Sequence, residues 1–283
     1  MLEINDFNEP LAISVVIFTR NESRNIEDCI KSIINVSEII VVDSNSSDDT
    51  CKIASDLGAR IVHFDWNGKY PKKRQWSLEN IAYANTWILF LDADERFTPE
   101  LSDEIYNFLV KQNTNYSAAS IPLDYYFAGR LLRYGHRPRK TVLLRIGSVE
   151  FPIVDDLQAK GMGELEGHYQ PKVFGGIKRF ESKITHADRD PISSWMQRHV
   201  KYAEWEAHLI LNKKAKSDVE ISKGKFASNL HKVPLRPFGF FVYSYIIKGG
   251  IFDGRAGFDY AFAKAWYYWL SELIARERTL HDR

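Results

Sequence analysis

The sequence predicts an α/β fold, in which helices flank a mostly parallel central sheet and a helical, aromatic-rich extension follows at the C-terminus. Segments that are apolar throughout, such as "AISVVIFTR", "EIIVVDS" and "TWILFLDAD", alternate with segments whose apolar residues repeat at helical spacing. Strands that are apolar on both faces and joined by helices belong to parallel sheets with right-handed crossovers. Aromatic residues are concentrated after Phe238, which predicts a different architecture there.

Strand and helix signals alternate through the first third of the chain. The run "AISVVIFTR" predicts the first strand, and "NESRNIEDCIKSII" predicts a helix with Asn21 or Ser23 as its N-cap. The run "EIIVVDS" predicts the second strand, and the helix "SSDDTCKIASDLG" that follows it ends at Gly58. The third strand is "ARIVHF" and the third helix "YPKKRQWSLENIAYA". The fourth strand, "TWILFLDAD", precedes a helix that Thr98 caps with Pro99 in its first turn.

Length and charge narrow the class of protein. A chain of 283 residues that is 45% hydrophobic suits one large domain, or one domain with an elaborated C-terminal part. A net charge of +1 argues against a protein that holds nucleic acid by bulk charge. Cys29 and Cys51 lack metal-ligand spacing, so we expect buried structural thiols. The N-terminus lacks the features of a secretory signal, and no run reaches the ~18 apolar residues of a spanning helix, so we expect a cytoplasmic protein.

Polar residues follow all four predicted strands. Ligands of parallel sheets bind outside the carboxyl ends of the strands, so side chains from these positions meet at one edge. Each could instead cap the next helix, but together they favour a functional site. No glycine-rich phosphate loop follows the first strand, so a nucleotide would be held by side chains and a metal. The residues concerned are Thr19, Arg20, Asn21, Glu22, Asp43, Ser44, Asn45, Asp65, Asp92 and Asp94.

Asp92 and Asp94 flank Ala93 at the end of the fourth strand, where both carboxylates can turn towards one ligand. Carboxylate oxygens with open positions suit Mg²⁺ or Mn²⁺, and Mg²⁺ commonly bridges one or two carboxylates to substrate phosphates. The helix that follows is already capped by Thr98, so the two aspartates are not needed as caps. We expect Glu95 to have only the weaker role of a charge at the helix start.

The segments "SVVIFTRNESRNIEDCIKSI", "IIVVDSNSSDDTCKIA" and "WILFLDADE" together resemble the nucleotide-binding half of family 2 glycosyltransferases. The resemblance is dense over about the first hundred residues and specific in the combination of motifs. The later segments "EGHYQPKV", "ITHADRDPISSWMQRHVKYAEWEA" and "GGIFDGRAGFDYAFAKAWYYWL" more loosely resemble a bacterial subgroup that includes lipopolysaccharide-core β-glucosyltransferases.

The resemblance implies the glycosyltransferase A-type fold, with a Rossmann-like sheet, and an inverting hexosyltransferase. It implies a catalytic domain over residues 1–190, with a nucleotide-binding half at about 11–100 and an acceptor-side part at about 101–190, and a helical region over 191–283. The donor would be a nucleotide-diphosphate sugar, with UDP expected, used with Mg²⁺ or Mn²⁺. The acceptor would be a glycan or lipid-linked molecule of bacterial cell-surface polysaccharide or lipopolysaccharide synthesis. The alternatives are a non-catalytic sugar-nucleotide or glycan-binding module and a nucleotidyltransferase on a similar sheet.

The family pattern also implies roles for residues at matching positions. Thr19, Asn21 and Glu22 would border the nucleotide, and Asp43 would bond its base or ribose. The segment from Asp92 through Ala93 would contact the donor, and Asp94 would ligate the cation, with Asp92 on ribose or metal. His186 in "ITHAD" would complete the metal site or contact the diphosphate, unless it is structural. Lys73 or Arg74 would touch phosphate, or would belong to a solvated helix start.

Inverting transfer needs one carboxylate that removes a proton from the acceptor hydroxyl. The first candidate is Glu166 in "GELEGHYQP", where Gly167 frees the backbone and His168 could orient the carboxylate. The second is the pair Asp155 and Asp156, in which like-charge repulsion could raise one pKa. We favour Glu166, because an acidic pair is more often a turn or a helix cap.

Two further segments concern the acceptor side. "GRLLRYGHRPRKTVLLR" predicts a solvated, charged hairpin that could attract an anionic acceptor. Its basic residues are Arg130, Arg133, Arg137, Arg139, Lys140 and Arg145. The aromatic C-terminus predicts a pair of amphipathic helices that rest on the inner membrane, or else pack on the sheet domain or a dimer partner. Between them, "GGIFDGRAGF" predicts a glycine-rich hinge whose turn is locked by Asp253 and Arg255.

Overall fold

The fold is a mixed ten-stranded sheet with flanking helices and a C-terminal helical region. The computed structural model describes residues 9–111, 115–166, 169–187, 191–223 and 235–281. This architecture confirms the predicted fold class.

The first four strands are parallel and stand in the order β3-β2-β1-β4. They are β1 (Leu11–Thr19), β2 (Val36–Asp43), β3 (Arg60–His63) and β4 (Trp87–Asp92). The helices between them are α1 (Ile26–Ser32), α2 (Thr50–Asp56) and α3 (Lys73–Asn80). Because β1 and β4 are covered on both faces, side chains such as Val15, Ile17 and Leu89 are fully buried. The carboxyl ends of the four strands therefore meet at one edge, as predicted.

The rest of the sheet mixes parallel and antiparallel pairs. β8 lies between β4 and β6 and is antiparallel to both, while β12 joins β6 to β5. These elements are β5 (Glu95–Arg96), α4 (Pro99–Val110), β6 (Tyr116–Phe127), β7 (Arg130–Leu132), β8 (Arg139–Arg145), β11 (Gly176–Arg179) and β12 (Ile184–His186), with β9 (Val149–Glu150) and β10 (Lys172–Val173) in a separate pair.

The C-terminal region is helical, as predicted. Its helices are α5 (Ile192–Leu211), α6 (Lys213–Lys223), α7 (Arg236–Val242) and α8 (Gly254–His281), with a π-helical turn at Tyr243–Ile247 and a 3₁₀ turn at Gly250–Asp253. Within the described ranges, none of the helices combines the length and apolar character needed to span a bilayer. The division into domains at residue 190 stays a prediction.

Local helix starts differ from the predictions in one place. Thr98 caps α4 as predicted, because its hydroxyl accepts a hydrogen bond from the backbone N–H of Leu101. The N-cap of α1 is Asn25, so the prediction of Asn21 or Ser23 was wrong. Asn21 instead takes a positive φ of 58°, and its side chain accepts a hydrogen bond from the next loop. A long-range contact has displaced a local cap.

The two cysteines lie in helices and are free thiols. Cys29 is fully buried in α1, as predicted. Cys51 in α2 is only partly buried, so the expectation of burial is wrong for this residue.

Asp253 does not pair with Arg255, so the predicted lock of the C-terminal turn is wrong. Its two carboxylate oxygens accept hydrogen bonds from the backbone N–H groups of Arg133 and Tyr134, at 3.0 and 2.8 Å. Arg255 is exposed and lies 3.8 Å from Asp259 on α8. The acid therefore ties the β7–β8 loop to the C-terminal region. Because β7 and β8 each pair with β6 and not with each other, the predicted hairpin was wrong, and the name basic hairpin is kept for this segment, residues 129–145.

A buried polar cluster joins the sheet domain to α5. One carboxylate oxygen of Asp156 accepts a hydrogen bond from the Tyr70 hydroxyl at 2.7 Å and lies 2.8 Å from Lys72 Nζ. The other accepts a hydrogen bond from Trp205 Nε1 on α5 at 2.9 Å. Lys72 also donates to the backbone oxygen of Leu165 at 3.1 Å. The start of α3, the loop after β9 and α5 thus share one ion pair.

We expect Asp156→Asn to lower the free energy of unfolding by about 3–5 kcal/mol, because Lys72, only 1% exposed, would keep a buried charge without its partner. Urea unfolding monitored by tryptophan fluorescence measures the change. The control is Glu150→Gln, which breaks the exposed pair with Lys172 and should change stability by less than about 0.5 kcal/mol. Equal effects of the two variants would contradict a structural role for the buried pair.

Candidate active site

Thr19 and Asp43 form the fixed centre of the nucleotide edge. They are paired in register at the ends of β1 and β2, and the Thr19 hydroxyl donates to Asp43 at 2.8 Å. The backbone N–H of Ser46 donates to the other carboxylate oxygen at 2.8 Å. Burial opposes ionisation of Asp43, but the hydrogen bonds from Ser46 and Thr19 outweigh it and lower the pKa. Asp43 is thus an oriented carboxylate.

Asn21 and Glu22 shape the rim of this edge. The backbone N–H of Asn21 donates to the Ser46 hydroxyl, and its side-chain oxygen accepts from the backbone N–H of Ser47, both at 2.8 Å. The backbone N–H of Glu22 donates to the Thr50 hydroxyl at 2.8 Å. These bonds hold the loop after β1 against the loop after β2.

Asp92 ends β4 and is held by two cations. One carboxylate oxygen lies 3.1 Å from Arg74 of α3, and the other lies 2.5 Å from Lys140 of β8. Lys140 also lies 2.6 Å from Glu95, which accepts a hydrogen bond from the backbone N–H of Asp92 at 3.0 Å. Burial disfavours the charge on Asp92, but Lys140 and Arg74 reverse this and lower its pKa. Lys73 and Arg74 were the two residues predicted to touch phosphate, and Arg74 is already paired with Asp92.

Glu95 and Lys140 are site residues that the sequence did not identify. Glu95 is fully buried in β5, so its predicted role as a helix-start charge was wrong. Burial raises its pKa, and although the charge of Lys140 acts against this, the charges of Asp92 and Asp94 add to the rise. From the sequence, Lys140 was predicted only as one of the basic residues of the charged hairpin. The antiparallel register that pairs Leu89 with Leu143 places Lys140 opposite Asp92, and the pairing of two strands so far apart in sequence was the missing signal.

Asp94, the second aspartate after β4, is paired with His186. His186 Nε2 lies 3.3 Å from one Asp94 oxygen, and the strand β12 that carries it pairs with β5. Burial lowers the pKa of His186, but Asp94 raises it further, so the net direction is upward. His186 Nδ1 is buried without a hydrogen-bond partner among the described residues. Asp94 is less crowded by cations than Asp92 is.

The donor set at Asp94 fits a hard divalent cation. The two carboxylates at Asp92 and Asp94 are the ligand type that suits Mg²⁺ and Mn²⁺ together with substrate phosphates, whereas the imidazole of His186 is a ligand more typical of transition metals than of Mg²⁺. Among the described residues, three possible ligands lie within 4.8 Å of one another only at Asp43, Cys51 and His63. The Asp43 oxygens there already accept hydrogen bonds from Thr19 and Ser46.

Lys73 is buried beside the end of β1. Its Nζ donates to the backbone oxygen of Thr19 at 2.8 Å and lies 4.0 Å from Glu164. Burial is the largest effect on its pKa, which falls to about 8 despite the carboxylates nearby. It is therefore neither a solvated residue nor a fully paired one.

Glu166 is buried next to the start of α3. One carboxylate oxygen accepts a hydrogen bond from the backbone N–H of Gln75 at 2.9 Å, while Oε2 has no partner among the described residues. Burial raises its pKa, although Arg74 and backbone hydrogen bonds act against it. Gly167 and His168, which were expected to free and orient this carboxylate, lie outside the described residues.

The acidic pair is engaged elsewhere. Both oxygens of Asp156 are bonded within the buried cluster with Lys72 and Trp205. Asp155 is exposed, and its carboxylate accepts a hydrogen bond from Asn212 at the end of α5, at 3.0 Å. The structure therefore brings Glu166, rather than this pair, to the residues around Asp92.

Part of the chain is similar to known bacterial glycosyltransferases. An uncharacterised glycosyltransferase of Rickettsia conorii is 42% identical over 113 residues, which are 39% of this chain and 39% of that protein. The lipopolysaccharide core biosynthesis glycosyltransferase LpsC of Rhizobium meliloti is 34% identical over 115 residues, which are 35% of this chain and 42% of that protein. The matched part thus spans well under half the length of either relative.

Two solved structures are also similar. Glucosyl-3-phosphoglycerate synthase from Mycobacterium tuberculosis, in complex with Mn²⁺, UDP-glucose and phosphoglyceric acid, matches with a TM-score of 0.33 and 27% identity over 40% of this chain and 44% of that one. The Staphylococcus aureus protein TarS, residues 1–349, matches with a TM-score of 0.40 and 13% identity over 89% of each chain.

The sequence model of the family "Glycosyl transferase family 2" matches residues 14–168, which contain the strand ends from Thr19 to Asp94 and the candidate base Glu166. This match confirms the resemblance to family 2 glycosyltransferases inferred from the motifs, and the mixed sheet with flanking helices agrees with the predicted α/β class. More than half of the 283 residues are covered, and the chain belongs to glycosyl transferase family 2.

Proposed function

We propose that the protein is an inverting, metal-dependent hexosyltransferase that uses a nucleoside-diphosphate sugar, with UDP as the expected nucleotide. The observation that carries this proposal is the convergence of Asp43, Asp92 and Asp94 at one sheet edge, with the buried Glu166 beside them. A module that only bound glycans would have no need of an unpartnered buried carboxylate at this place.

The donor is bound by the residues of the strand ends. Asp43, oriented by Thr19, accepts hydrogen bonds from the base or ribose, and the rim of Asn21 and Glu22 borders the nucleotide. Asp92 and the adjoining Ala93 contact the ribose side of the donor. Lys73 supplies positive charge towards the phosphates, since its ammonium is tied to a backbone oxygen rather than to a close carboxylate. These roles follow from the position and charge of each group.

Asp94, with Asp92 and His186, would hold Mg²⁺ or Mn²⁺. A bound divalent cation neutralises the charge that grows on a departing diphosphate. Asp94 supplies the more open carboxylate, because both oxygens of Asp92 already meet cations of the protein. Lys140 and Arg74 hold Asp92 in place and are positioning residues in this proposal.

Glu166 is the general base. The acceptor hydroxyl loses its proton to Glu166 as its oxygen forms a bond to the anomeric carbon, while the bond from that carbon to the diphosphate oxygen breaks on the opposite face. A pKa raised by burial suits this task, because the carboxylate then has greater affinity for the proton it must accept. Asp155 and Asp156 are the second candidates, and their hydrogen bonds to Asn212 and Trp205 disfavour them.

The acceptor is a glycan or lipid-linked molecule of bacterial cell-surface polysaccharide or lipopolysaccharide synthesis. Similarity to LpsC, whose name assigns it to lipopolysaccharide core biosynthesis, supports this class. We place the protein in the cytoplasm, in peripheral contact with the inner membrane. The aromatic residues of α7 and α8 support that contact.

We expect Asp94→Asn to abolish the part of donor affinity that depends on metal. Loss of a metal ligand should weaken UDP-sugar binding in the presence of Mn²⁺ by at least about tenfold. Isothermal titration calorimetry with and without Mn²⁺ measures this. The matched control is Asp103→Asn on the exposed face of α4, which should bind like the wild type. Unchanged Mn²⁺-dependent binding by the Asp94 variant would refute the proposed metal ligand.

We expect Glu166→Gln to bind the donor normally and to lower kcat by roughly 10²–10⁴-fold, the usual contribution of a general base. The rate of the wild type should fall as pH decreases through the raised pKa of Glu166, because only the ionised carboxylate accepts the proton. A pH profile of the rate of sugar transfer measures this fall at low pH.

The stability of the same variant separates catalysis from folding. A carboxyl whose pKa is higher in the folded state destabilises the fold at pH values above its unfolded pKa. Glu166→Gln should therefore not lower Tm at neutral pH. If Asp156→Asn, at a temperature where it stays folded, loses turnover while Glu166→Gln keeps it, the base lies in the acidic pair. Donor cleavage that forms a nucleotidyl product would instead indicate a nucleotidyltransferase.

We expect donor affinity to fall as pH rises through about 8, because Lys73 then loses the proton that its buried site holds weakly. The loss of one charge-assisted hydrogen bond, about 1.5 kcal/mol, corresponds to roughly a tenfold weaker Kd. Titrations of UDP at pH 7 and pH 9 measure it. Lys73→Arg keeps its charge over this range and should show a flat profile, so a pH effect that survives in this variant would exclude Lys73 as its source.

A further inference from the structure

The C-terminal region exposes an apolar tip. Four large hydrophobic side chains are exposed in a stretch of seven residues, 246–252, that belongs to the π-helical and 3₁₀ turns. Their exposed fractions are 60% for Ile246, 69% for Ile247, 51% for Ile251 and 75% for Phe252. We name these four residues the tip. Side chains of this size are seldom exposed so close together on a surface that faces only water.

The tip is continued along α8 by aromatic rings. Phe258 contacts Tyr245 and Phe241 edge-on and stacks on Phe262, with ring centroids 6.1 Å apart in the stacked pair. Phe262 lines an apolar cleft of about 270 Å³ together with Ile192 of α5. Exposed aromatic side chains therefore lie along α8 from Phe258 to Phe262 at the cleft between α5 and α8.

The basic hairpin lies directly against the tip. Asp253 accepts hydrogen bonds from the backbone of Arg133 and Tyr134, and the backbone N–H of Gly135 donates to the backbone oxygen of Lys248 at 2.9 Å. The ring of Tyr134 packs on that of the tip residue Phe252, with centroids 5.5 Å apart. Two segments that look unrelated in the sequence, the arginine-rich hairpin and the aromatic C-terminus, thus form one surface.

The backbone of the tip is close-packed rather than flexible. A Cβ atom on Gly257 would lie 1.9 Å from the backbone oxygen of Gly250, so only glycine allows α8 to approach the turn this closely. The predicted glycine-rich hinge is in this respect a rigid junction. A surface that is already ordered loses less conformational entropy when it binds.

The charge around the tip is mainly positive. The exposed basic side chains are Arg130, Arg133, Arg137, Lys248 and Arg255. Two of these five residues face an acid: Arg137 lies 3.9 Å from Asp124, and Arg255 lies 3.8 Å from Asp259. Asp253 bonds the backbone of Arg133 and Tyr134, so the basic residues outnumber the acids. An apolar centre with a basic border complements an anionic, partly apolar surface.

We propose that the tip and the basic hairpin form a docking surface for a bilayer that contains anionic phospholipids. The four tip side chains enter the boundary between headgroups and acyl chains, and the arginines contact lipid phosphates. A second copy of this chain fits less well, because a self-complementary contact would place the two basic borders against each other. Binding of the bilayer by this surface does not depend on the proposed transferase function. Only the reason for such binding, access to a lipid-linked acceptor, rests on that function.

Docking here would place a lipid-linked acceptor close to the site. The hairpin that contacts the tip at Gly135 continues into Lys140, which bonds Asp92. Five residues of extended chain reach at most roughly 18 Å. This length bounds the distance between the Cα atoms of Gly135 and Lys140, so only a short segment separates the docking surface from the residue that bonds Asp92.

The test is flotation of the purified full chain with phosphatidylcholine vesicles, with and without phosphatidylglycerol. We expect binding to the anionic vesicles that weakens as salt is added. The double variant Ile247→Ser, Phe252→Ser should bind roughly tenfold more weakly, because less apolar area enters the bilayer. Arg133→Gln with Arg255→Gln should lose the preference for anionic vesicles. The control Ile34→Ser, at a 49% exposed residue outside this surface, should bind normally.

Several outcomes would overturn the proposal: no binding of the wild type to either vesicle, equal binding by the tip double variant, or a solution dimer that the same variant dissociates. Binding of UDP with Mn²⁺ is measured in parallel and should be unchanged in the tip variants. If a tip variant loses vesicle binding but still binds UDP with Mn²⁺, the tip residues act in docking and not in donor binding. Vesicle binding without donor binding contradicts the transferase and leaves the docking surface in place.

Discussion

The ion pairs of Asp92 determine how the parts of the site meet. Arg74 reaches this carboxylate from α3, and Lys140 reaches it from β8, on the part of the sheet expected to face the acceptor. Lys140 also holds the buried Glu95, so two acids share a cation at the end of the central strand. Removing one partner from such a group leaves uncompensated charge, which costs more than the pair contributes. The strand end, α3 and β8 are therefore held in one arrangement by charge as well as by packing.

The start of α3 distributes its three cations to three different places. Lys72 enters the buried cluster with Asp156, Lys73 lies beside the end of β1, and Arg74 meets Asp92. Lys73 and Arg74 are successive helical residues and point about 100° apart, whereas Lys72 is the extended N-cap and points into the loop after β9. Three neighbouring residues therefore reach the buried cluster, the nucleotide edge and Asp92. Stability and donor binding are thereby linked through one short helix. A substitution in this turn that shifts its backbone is expected to affect both.

The sequence predicted the elements whose signal is local. The buried runs of β1, β2 and β4, the Thr98 cap and the polar strand ends all depend on residues within a few positions of one another. The roles of Glu95 and Lys140 depend on the antiparallel pairing of β4 with β8, which no short segment encodes. The union of the arginine-rich hairpin with the aromatic tip, through Asp253, is of the same kind. What the sequence could not predict is set by tertiary register.

Two residues of the proposed site are among those whose buried polar atoms have no partner within the described parts of the chain. Asp156 is buried and has partners at both oxygens, as expected of a carboxylate that orients the structure, and each oxygen of the half-buried Asp92 meets a cation of the protein. Glu166 Oε2 and His186 Nδ1 have none among the described residues, although both atoms are buried. An orphaned buried polar atom costs free energy, and such costs persist mainly where a substrate completes the contact. In the proposed reaction the acceptor hydroxyl supplies the missing partner of Glu166, which is why Glu166 is preferred as the base.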